Sequence, residues 1–165
     1  MLKWFTRSGI SIDAEGIETL EGAWWQGRDI DYATLLNPGV KETLVELKRR
    51  GVRLALASSS SHRNIAQVLS DCGLGGFFEV IISGEQFHES KPNPEIYLHT
   101  LESLGLSAGD CCCVEDSIPG IEAGRAAGLT VIAKREERFG FTQDAANAII
   151  DSIPDVLDLS DSSCG

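Results

Sequence analysis

Positive charge is scarce in this sequence. Only 14 lysines and arginines stand against 25 aspartates and glutamates, which gives a formal net charge of −11 and an isoelectric point of about 4.6. A surface of this sign repels nucleic acid, and no run of lysine or arginine offsets it, so the sequence argues against a nucleic-acid-binding protein. An anionic ligand would need individual cations placed beside it.

Long apolar runs and a disulfide pattern are also missing. No apolar run approaches the ~20 residues of a membrane-spanning helix, so we expect no membrane association. The first ten residues are broken by charged and small residues and do not resemble a signal peptide. Three of the five cysteines are adjacent, Cys111, Cys112 and Cys113, which fits neither a disulfide framework nor a zinc site. We therefore expect free thiols and a cytoplasmic protein.

What the sequence does contain is a regular alternation of apolar runs and amphipathic helices from Pro38 onward. Such an alternation, joined by short loops, predicts an α/β fold with a doubly wound, mostly parallel, Rossmann-like sheet. Strands are predicted over residues 52–57, 77–82, 111–114, 129–133 and 148–150. Helices are predicted over residues 40–50, 64–72, 95–104 and 117–127, with a last one near 154–159.

The domain organisation follows from one change in composition, at Asn37-Pro38-Gly39. Residues 1–36 are predicted to be helical and amphipathic, and they carry all three tryptophans, so this segment should bury a face against something. Residues 37–165 carry the strands. We therefore predict an N-terminal helical piece followed by an α/β core.

Two acids, Glu115 and Asp116, follow the cysteine-rich strand. Ser117 can cap the next helix, and a second apolar run follows Gly128, so the stretch reads as a βαβ unit with carboxylates at the carboxyl end of its first strand. Ligands bind at that edge in open α/β sheets, and carboxylate oxygens suit Mg²⁺. The alternative is that the helix dipole alone favours acids there.

Two other loops after predicted strands carry complementary groups. The run Ser58–Ser61 offers hydroxyls and backbone N–H groups at a helix N-terminus, where phosphate binds readily, although it could equally be a serine-rich cap. Lys91 precedes Pro92 in a loop that two prolines restrict, so its ammonium could be held in place; otherwise it is a surface lysine. Together the three loops would form a site for a phosphate with a magnesium ion.

Three motifs in this order resemble those of a known family. LALASSS, SKPNPEIY and CVEDSIPGIEAGRAAG are similar to the second, third and fourth motifs of the haloacid dehalogenase-like (HAD) superfamily, in the branch of phosphatases and β-phosphoglucomutase-like enzymes with a helical cap. The resemblance covers residues 38–159. Residues 1–36 also resemble the second half of that family's cap, which implies a partial α-helical cap before a HAD-like core.

The resemblance implies a role for each loop. Ser58 would bind the transferring phosphoryl group and Ser59 and Ser60 would bind its oxygens, while Lys91 would neutralise charge. Asp116 would ligate Mg²⁺, with Glu115 as a second ligand or an outer partner. The implied function is that of a Mg²⁺-dependent phosphatase or phosphoglucomutase-like enzyme, acting on a small phosphorylated metabolite through an aspartyl-phosphate. We expect a monomer or weak dimer.

The sequence departs from the family in one respect. No DxDG(T/V) signature, which holds the nucleophilic aspartate, follows an apolar strand; Asp29-Ile30-Asp31 and Asp13-Ala14-Glu15-Gly16 are the nearest matches. We expect that the chain lacks the family's first strand, which lies between the strands at residues 52–57 and 111–114, and that two strand edges are exposed as a result. The alternative function is therefore a non-catalytic, truncated relative or fragment that binds phosphate or a protein partner.

Overall fold

Strands and helices alternate throughout the part of the chain described by a computed structural model, residues 30–137 and 140–163. Apart from Ile30 and Asp31, this part belongs to one compact unit, Tyr32–Gly165. The predicted cap helices before residue 30, with Asp13 and Asp29, lie outside the described residues. The elements are α1 (Tyr32–Leu35), α2 (Val40–Arg49), β1 (Ala55–Ser58), α3 (His62–Asp71), β2 (Val80–Ser83), α4 (Glu95–Leu104), β3 (Cys112–Glu115), α5 (Ile118–Ala126), β4 (Thr130–Lys134), β5 (Ala148–Ile150) and α6 (Val156–Ser163).

All strand pairs are parallel, as the alternation predicts. β1 pairs with β2 in register from Ala55 opposite Val80 to Ser58 opposite Ser83. A second sheet has the order β3-β4-β5. The predicted α/β class with parallel strands is confirmed. Among the described residues, however, no strand joins β1 to β3, so the two sheets stand apart at this point.

Helices cover both faces of the sheets and span the division between them. On one face, α4 and α5 share a buried cluster with β2, which contains Ile82, Tyr97, Leu101 and Ala123. On the other face, α2 reaches both sheets: Leu47 packs with Ile132 and Ile150 of the second sheet, whereas Val40 and Leu44 pack beside Leu56 and Ile81 of the first. No helix in the described ranges has both the length and the apolar character that crossing a membrane requires.

Element bounds differ from the predicted ones mainly at strand starts. β1 begins at Ala55 rather than at Val52, because parallel pairing with β2 begins only there, and Val52 is 38% exposed. β3 was predicted to be buried, but Cys113 and Glu115 are only half-buried, and Cys112 and Val114 on the opposite face are exposed. The register partner of Val114, Ile132, is 5% exposed, whereas Val114 is 43% exposed. β3 is also an edge strand of its sheet, on the side opposite β4.

Candidate functional site

The predicted lysine, Lys91, lies in the loop between β2 and α4 and joins the two sheets at their carboxyl ends. Its Nζ donates hydrogen bonds to the carbonyl oxygen of Ala57 on β1 at 3.3 Å, to the Tyr97 hydroxyl at 3.0 Å and to Oε1 of Glu115 at the end of β3. The Lys91–Pro92 peptide bond is cis. Only 11% of the lysine side chain is exposed, so this ammonium is held by three oxygen atoms.

Tyr97, in the first turn of α4, was not singled out from the sequence as a site residue. Its hydroxyl donates a hydrogen bond to the same Glu115 oxygen that Lys91 binds, and its ring centroid lies 4.7 Å from the lysine Nζ. Burial, and then the nearby Glu115 carboxylate, raise the pKa of Tyr97 above its usual range. The same two causes raise the pKa of the Cys113 thiol to about 12. Both groups therefore remain neutral beside the ion pair at ordinary pH.

Glu115 fits tightly against the start of α5. Its Oε2 lies 3.5 Å from the Ser117 hydroxyl, which also caps α5 by accepting a hydrogen bond from the Gly120 N–H. A Cβ added at Gly120 would stand 1.9 Å from that Oε2, so only glycine allows the carboxylate to occupy this position. Glu115 thus faces Lys91 and Tyr97 with one oxygen and the helix with the other.

Asp116, unlike Glu115, is exposed to solvent. None of the hydrogen bonds or ion pairs of the described residues involves its carboxylate. Its backbone carbonyl accepts a hydrogen bond from Nε2 of Gln143 at 2.9 Å. Gln143 is buried at 5% exposure, and nothing in the sequence marked this polar loop residue as part of the site.

The described residues fit a magnesium ion in part. They contain no group of three histidine, cysteine, aspartate or glutamate side chains that could hold a metal ion. Mg²⁺, however, is commonly held by one or two carboxylates together with water and substrate phosphate. Asp116 offers one such carboxylate at the carboxyl end of β3, and Glu115 would be available only if it released Lys91 or used its other oxygen.

The serine loop lies at the carboxyl end of β1, next to the point where Lys91 binds. Ser58 Oγ accepts a hydrogen bond from the Ser60 N–H at 3.2 Å, and Ser61 caps α3 by accepting one from Asn64. Ser59 is exposed, and its Cα would be 2.8 Å from a Cβ at Gly84, so the turn after β2 packs directly on it. The structure thus brings Ser58, Ser59, Ser60, Lys91, Glu115 and Asp116 to the same end of the strands, although no hydrogen bond between described residues links a serine to Lys91.

The end of β2 and the turn after it also form hydrogen bonds with the serine loop and the start of α3. Ser83 is fully buried, and its hydroxyl donates to the Ser60 carbonyl at 2.7 Å. Glu85 accepts a hydrogen bond from the His62 N–H at 2.8 Å, and Gln86 Nε2 lies 3.0 Å from His62 Nε2. Glu85 therefore occupies one of the N–H groups at the start of α3, which leaves fewer of them for an incoming phosphate.

Comparisons with known proteins identify relatives of this chain. The family model described as haloacid dehalogenase-like hydrolase matches residues 6–134. The chain is 36% identical over 120 residues to a bifunctional riboflavin kinase/FMN phosphatase of Arabidopsis thaliana, an alignment that covers 69% of this chain and 32% of that protein. It is 40% identical over 93 residues to a phosphorylated carbohydrates phosphatase of Thermotoga maritima, covering 56% of this chain and 43% of that protein.

A solved structure of a related protein has a similar fold. The crystal structure of CbbY from Rhodobacter sphaeroides in complex with phosphate superposes with a TM-score of 0.69 at 30% identity, covering 73% of this chain and 56% of that one. The chain spans about a third to a half of the length of the curated relatives that it matches first. Because the family model covers most of the chain and the parallel α/β fold agrees with it, this chain belongs to the haloacid dehalogenase-like hydrolase family.

Proposed function

We propose that this chain carries the phosphate-binding and charge-neutralising part of a Mg²⁺-dependent phosphatase or phosphoglucomutase-like enzyme that acts on a small phosphorylated metabolite. The observation that carries the proposal is the position of Lys91, whose ammonium stands between Ala57 at the end of β1 and Glu115 at the end of β3. The names of relatives, such as phosphorylated carbohydrates phosphatase and phosphoglycolate phosphatase, support a sugar or hydroxy-acid phosphate as the substrate class.

Each residue would contribute one function. Ser58 and the backbone around Ser59 and Ser60 would bind phosphate oxygens, and Lys91 would stabilise the charge on the phosphoryl group, more strongly in the transition state. Asp116 would hold the metal, with Glu115 as a second ligand or outer partner. When bound, magnesium supplies positive charge that neutralises the phosphate oxygens.

We further propose that a strand carrying the attacking aspartate belongs between β1 and β3. Three observations support this: the sheets are divided there among the described residues, α2 packs on both of them, and Val114 of the edge strand β3 is 43% exposed. A closed sheet would bury Val114 as it buries Ile132. Since the signature of that strand is missing from the sequence, we expect no turnover of small phosphate esters by this chain alone.

The second candidate is a non-catalytic relative that binds phosphate or a protein partner. The same division of the sheet favours it, because phosphate binding needs Ser58 and Lys91 but not the attacking aspartate. The two candidates therefore share a binding site, and they differ in whether a strand carrying the attacking aspartate completes that site.

Phosphate binding tests the site that both candidates need. Binding of inorganic phosphate in the presence of Mg²⁺ can be followed by calorimetry or ³¹P NMR for the unaltered chain and for Lys91→Met and Ser58→Ala. Lys134→Met is the matched control, since this lysine also lies at the carboxyl end of a strand but binds the Arg135 carbonyl, away from the serine loop. We expect both site variants to lose affinity and the control to keep it. Equal affinity in all four proteins would refute the proposed site.

Turnover then tests the expectation, common to both candidates, that the chain alone is inactive. Phosphate release is measured from a panel of sugar phosphates and phosphoglycolate, with the chain alone. Release that is lost in Lys91→Met would establish the enzyme and contradict our expectation that the chain alone is inactive. In that case Asp13→Asn would show whether the variant motif at residues 13–16 supplies the nucleophile.

A further inference from the structure

Gln143 ties together three backbone segments at the carboxyl edge of the second sheet. Its Nε2 donates to the carbonyl oxygens of Asp116 and Lys134, both at 2.9 Å, and its Oε1 accepts a hydrogen bond from the N–H of Glu136 at 3.0 Å. The side chain is 5% exposed. A neutral amide has two N–H donors, so both are used here, one at the end of β3 and one at the end of β4.

These bonds fix the peptide group that follows Asp116. A carbonyl oxygen held by a buried donor cannot rotate freely, and the next residue, Ser117, is itself held as the cap of α5 through the Gly120 N–H. The backbone on the C-terminal side of Asp116 is therefore held at two points. The direction of its Cα–Cβ bond depends on that backbone, while its exposed carboxylate has no bond of its own to orient it.

We propose that Gln143 is a positioning residue, which sets the orientation of Asp116 and thereby the affinity of the site for a divalent cation. This inference rests on the proposed function in one respect, namely that Asp116 ligates the metal. Residues that orient a ligand from outside the coordination sphere commonly change metal affinity by 10–100-fold when they are removed. The cation class is a hard divalent ion, Mg²⁺ or Mn²⁺, because oxygen ligands favour both.

A matched control lies four residues away in the same loop. Asn147 also uses its side-chain amide to bind a backbone group near β4, since its Oδ1 accepts a hydrogen bond from the Val131 N–H at 2.9 Å. It does not reach Asp116. Replacing Asn147 therefore loosens the same loop from the same strand without releasing the carbonyl of Asp116.

The experiment measures Mn²⁺ binding to the full chain by the loss of the free-ion EPR signal. Four proteins are compared: the unaltered chain, Asp116→Asn, Gln143→Met and Asn147→Ala. Methionine keeps the length and volume of glutamine but cannot donate to the two carbonyls. Urea unfolding of each protein gives its stability, and hydrogen exchange of the Glu136 amide, which donates to Gln143 Oε1, reports on the bonds made by this side chain. Gln143→Glu, which keeps an acceptor for Glu136 but lacks the two donors, replaces the methionine variant if that one does not fold.

We expect Gln143→Met to weaken Mn²⁺ binding on the order of tenfold and to speed exchange at Glu136. Asn147→Ala should leave the affinity unchanged even where its loss of stability is as large. If Asp116→Asn weakens binding but Gln143→Met and Gln143→Glu do not, the positioning role is refuted and the metal ligand stands. If Asp116→Asn binds as tightly as the unaltered chain, the proposed metal ligand is itself wrong, and the inference fails with it. Equal weakening in Gln143→Met and Asn147→Ala would reduce Gln143 to a structural residue.

Discussion

Lys91 and Glu115 form an ion pair in which both side chains are almost removed from water, at 11% and 10% exposure. Lys91 lies in the loop before α4 and Glu115 is the last residue of β3, so the pair connects the carboxyl ends of two sheets that no described strand joins. A buried charge is costly unless it is paired and hydrogen-bonded, and here the Tyr97 hydroxyl and the Ala57 carbonyl complete the shell around the ammonium. Lys91, the main candidate for a catalytic role, is therefore also expected to stabilise the fold.

Replacing the lysine should accordingly cost stability. A loop lysine, as seen in the sequence, would contribute little to folding, but Lys91→Met leaves Glu115 buried and without its cation. Breaking a buried pair in this way costs about 3 kcal/mol or more. The double variant Lys91→Met/Glu115→Gln removes the unpaired charge and should recover a large part of that loss. Urea unfolding of the single and double variants decides the matter, and a double variant no more stable than the single one would contradict it.

Removing the hydroxyl oxygen of Tyr97 should also lower the free energy of unfolding. Tyr97→Phe deletes the donor to Glu115 and an acceptor for Lys91 while it keeps the ring in the cluster with Ile82 and Leu101. We expect a loss of about 1–2 kcal/mol in the free energy of unfolding, because the carboxylate loses a partner in a buried place. Tyr32→Phe is the control, since that hydroxyl binds Asn64 at 3.0 Å in a more open position. Equal losses in Tyr97→Phe and Tyr32→Phe would show that the hydrogen bond from Tyr97 to Glu115 contributes no more to stability than the more exposed bond from Tyr32 to Asn64.

The sequence predicted the architecture well because the fold depends on periodic apolar patterns. The helix Glu95–Leu104 and the strand Ala148–Ile150 have the predicted bounds, and the cap at Ser117 is where the sequence indicated it. Strand β1 was misjudged because Val52 is apolar in sequence but lies before the pairing with β2 begins.

The two residues that complete the site could not be found in the same way. Tyr97 looks like one more member of the apolar stripe of α4, and the sequence does not show that its hydroxyl meets an acid 18 residues later. Gln143 lies in a polar loop and becomes significant only because the fold buries it against the ends of β3 and β4. Contacts between loops that are distant in sequence leave no periodic signal.

Gly120 should not tolerate alanine, although it lies inside a helix, where alanine is normally favoured. The added Cβ would stand 1.9 Å from Oε2 of Glu115 and would push the carboxylate away from Ser117 and Lys91. We expect Gly120→Ala to lower the free energy of unfolding by about 1–3 kcal/mol, the usual cost of overpacking. Gly75→Ala should change little, because nothing lies within 4 Å of a Cβ there. Thermal or urea unfolding of both variants tests this, and a stabilised Gly120→Ala would mean that Glu115 moves aside at no cost.

Stability should fall in alkaline solution because of Cys113. Burial, and then Glu115, raise the pKa of its thiol to about 12 in the folded protein, whereas an unfolded cysteine titrates near ~8.5. A raised folded pKa favours the neutral thiol, so the stabilisation is complete below the unfolded value and is lost as the pH rises towards the folded one. Linkage gives a loss of about 2 kcal/mol between pH 7.5 and pH 10 from this group. The pKa of Tyr97 is raised as well, and this shift acts in the same direction at higher pH.

Cys113→Ser has no thiol to titrate, so its urea midpoint without added metal should fall less over this interval than that of the unaltered chain. Parallel midpoint curves for the two proteins would show that the Cys113 thiol ionises as easily in the folded state as in the unfolded one.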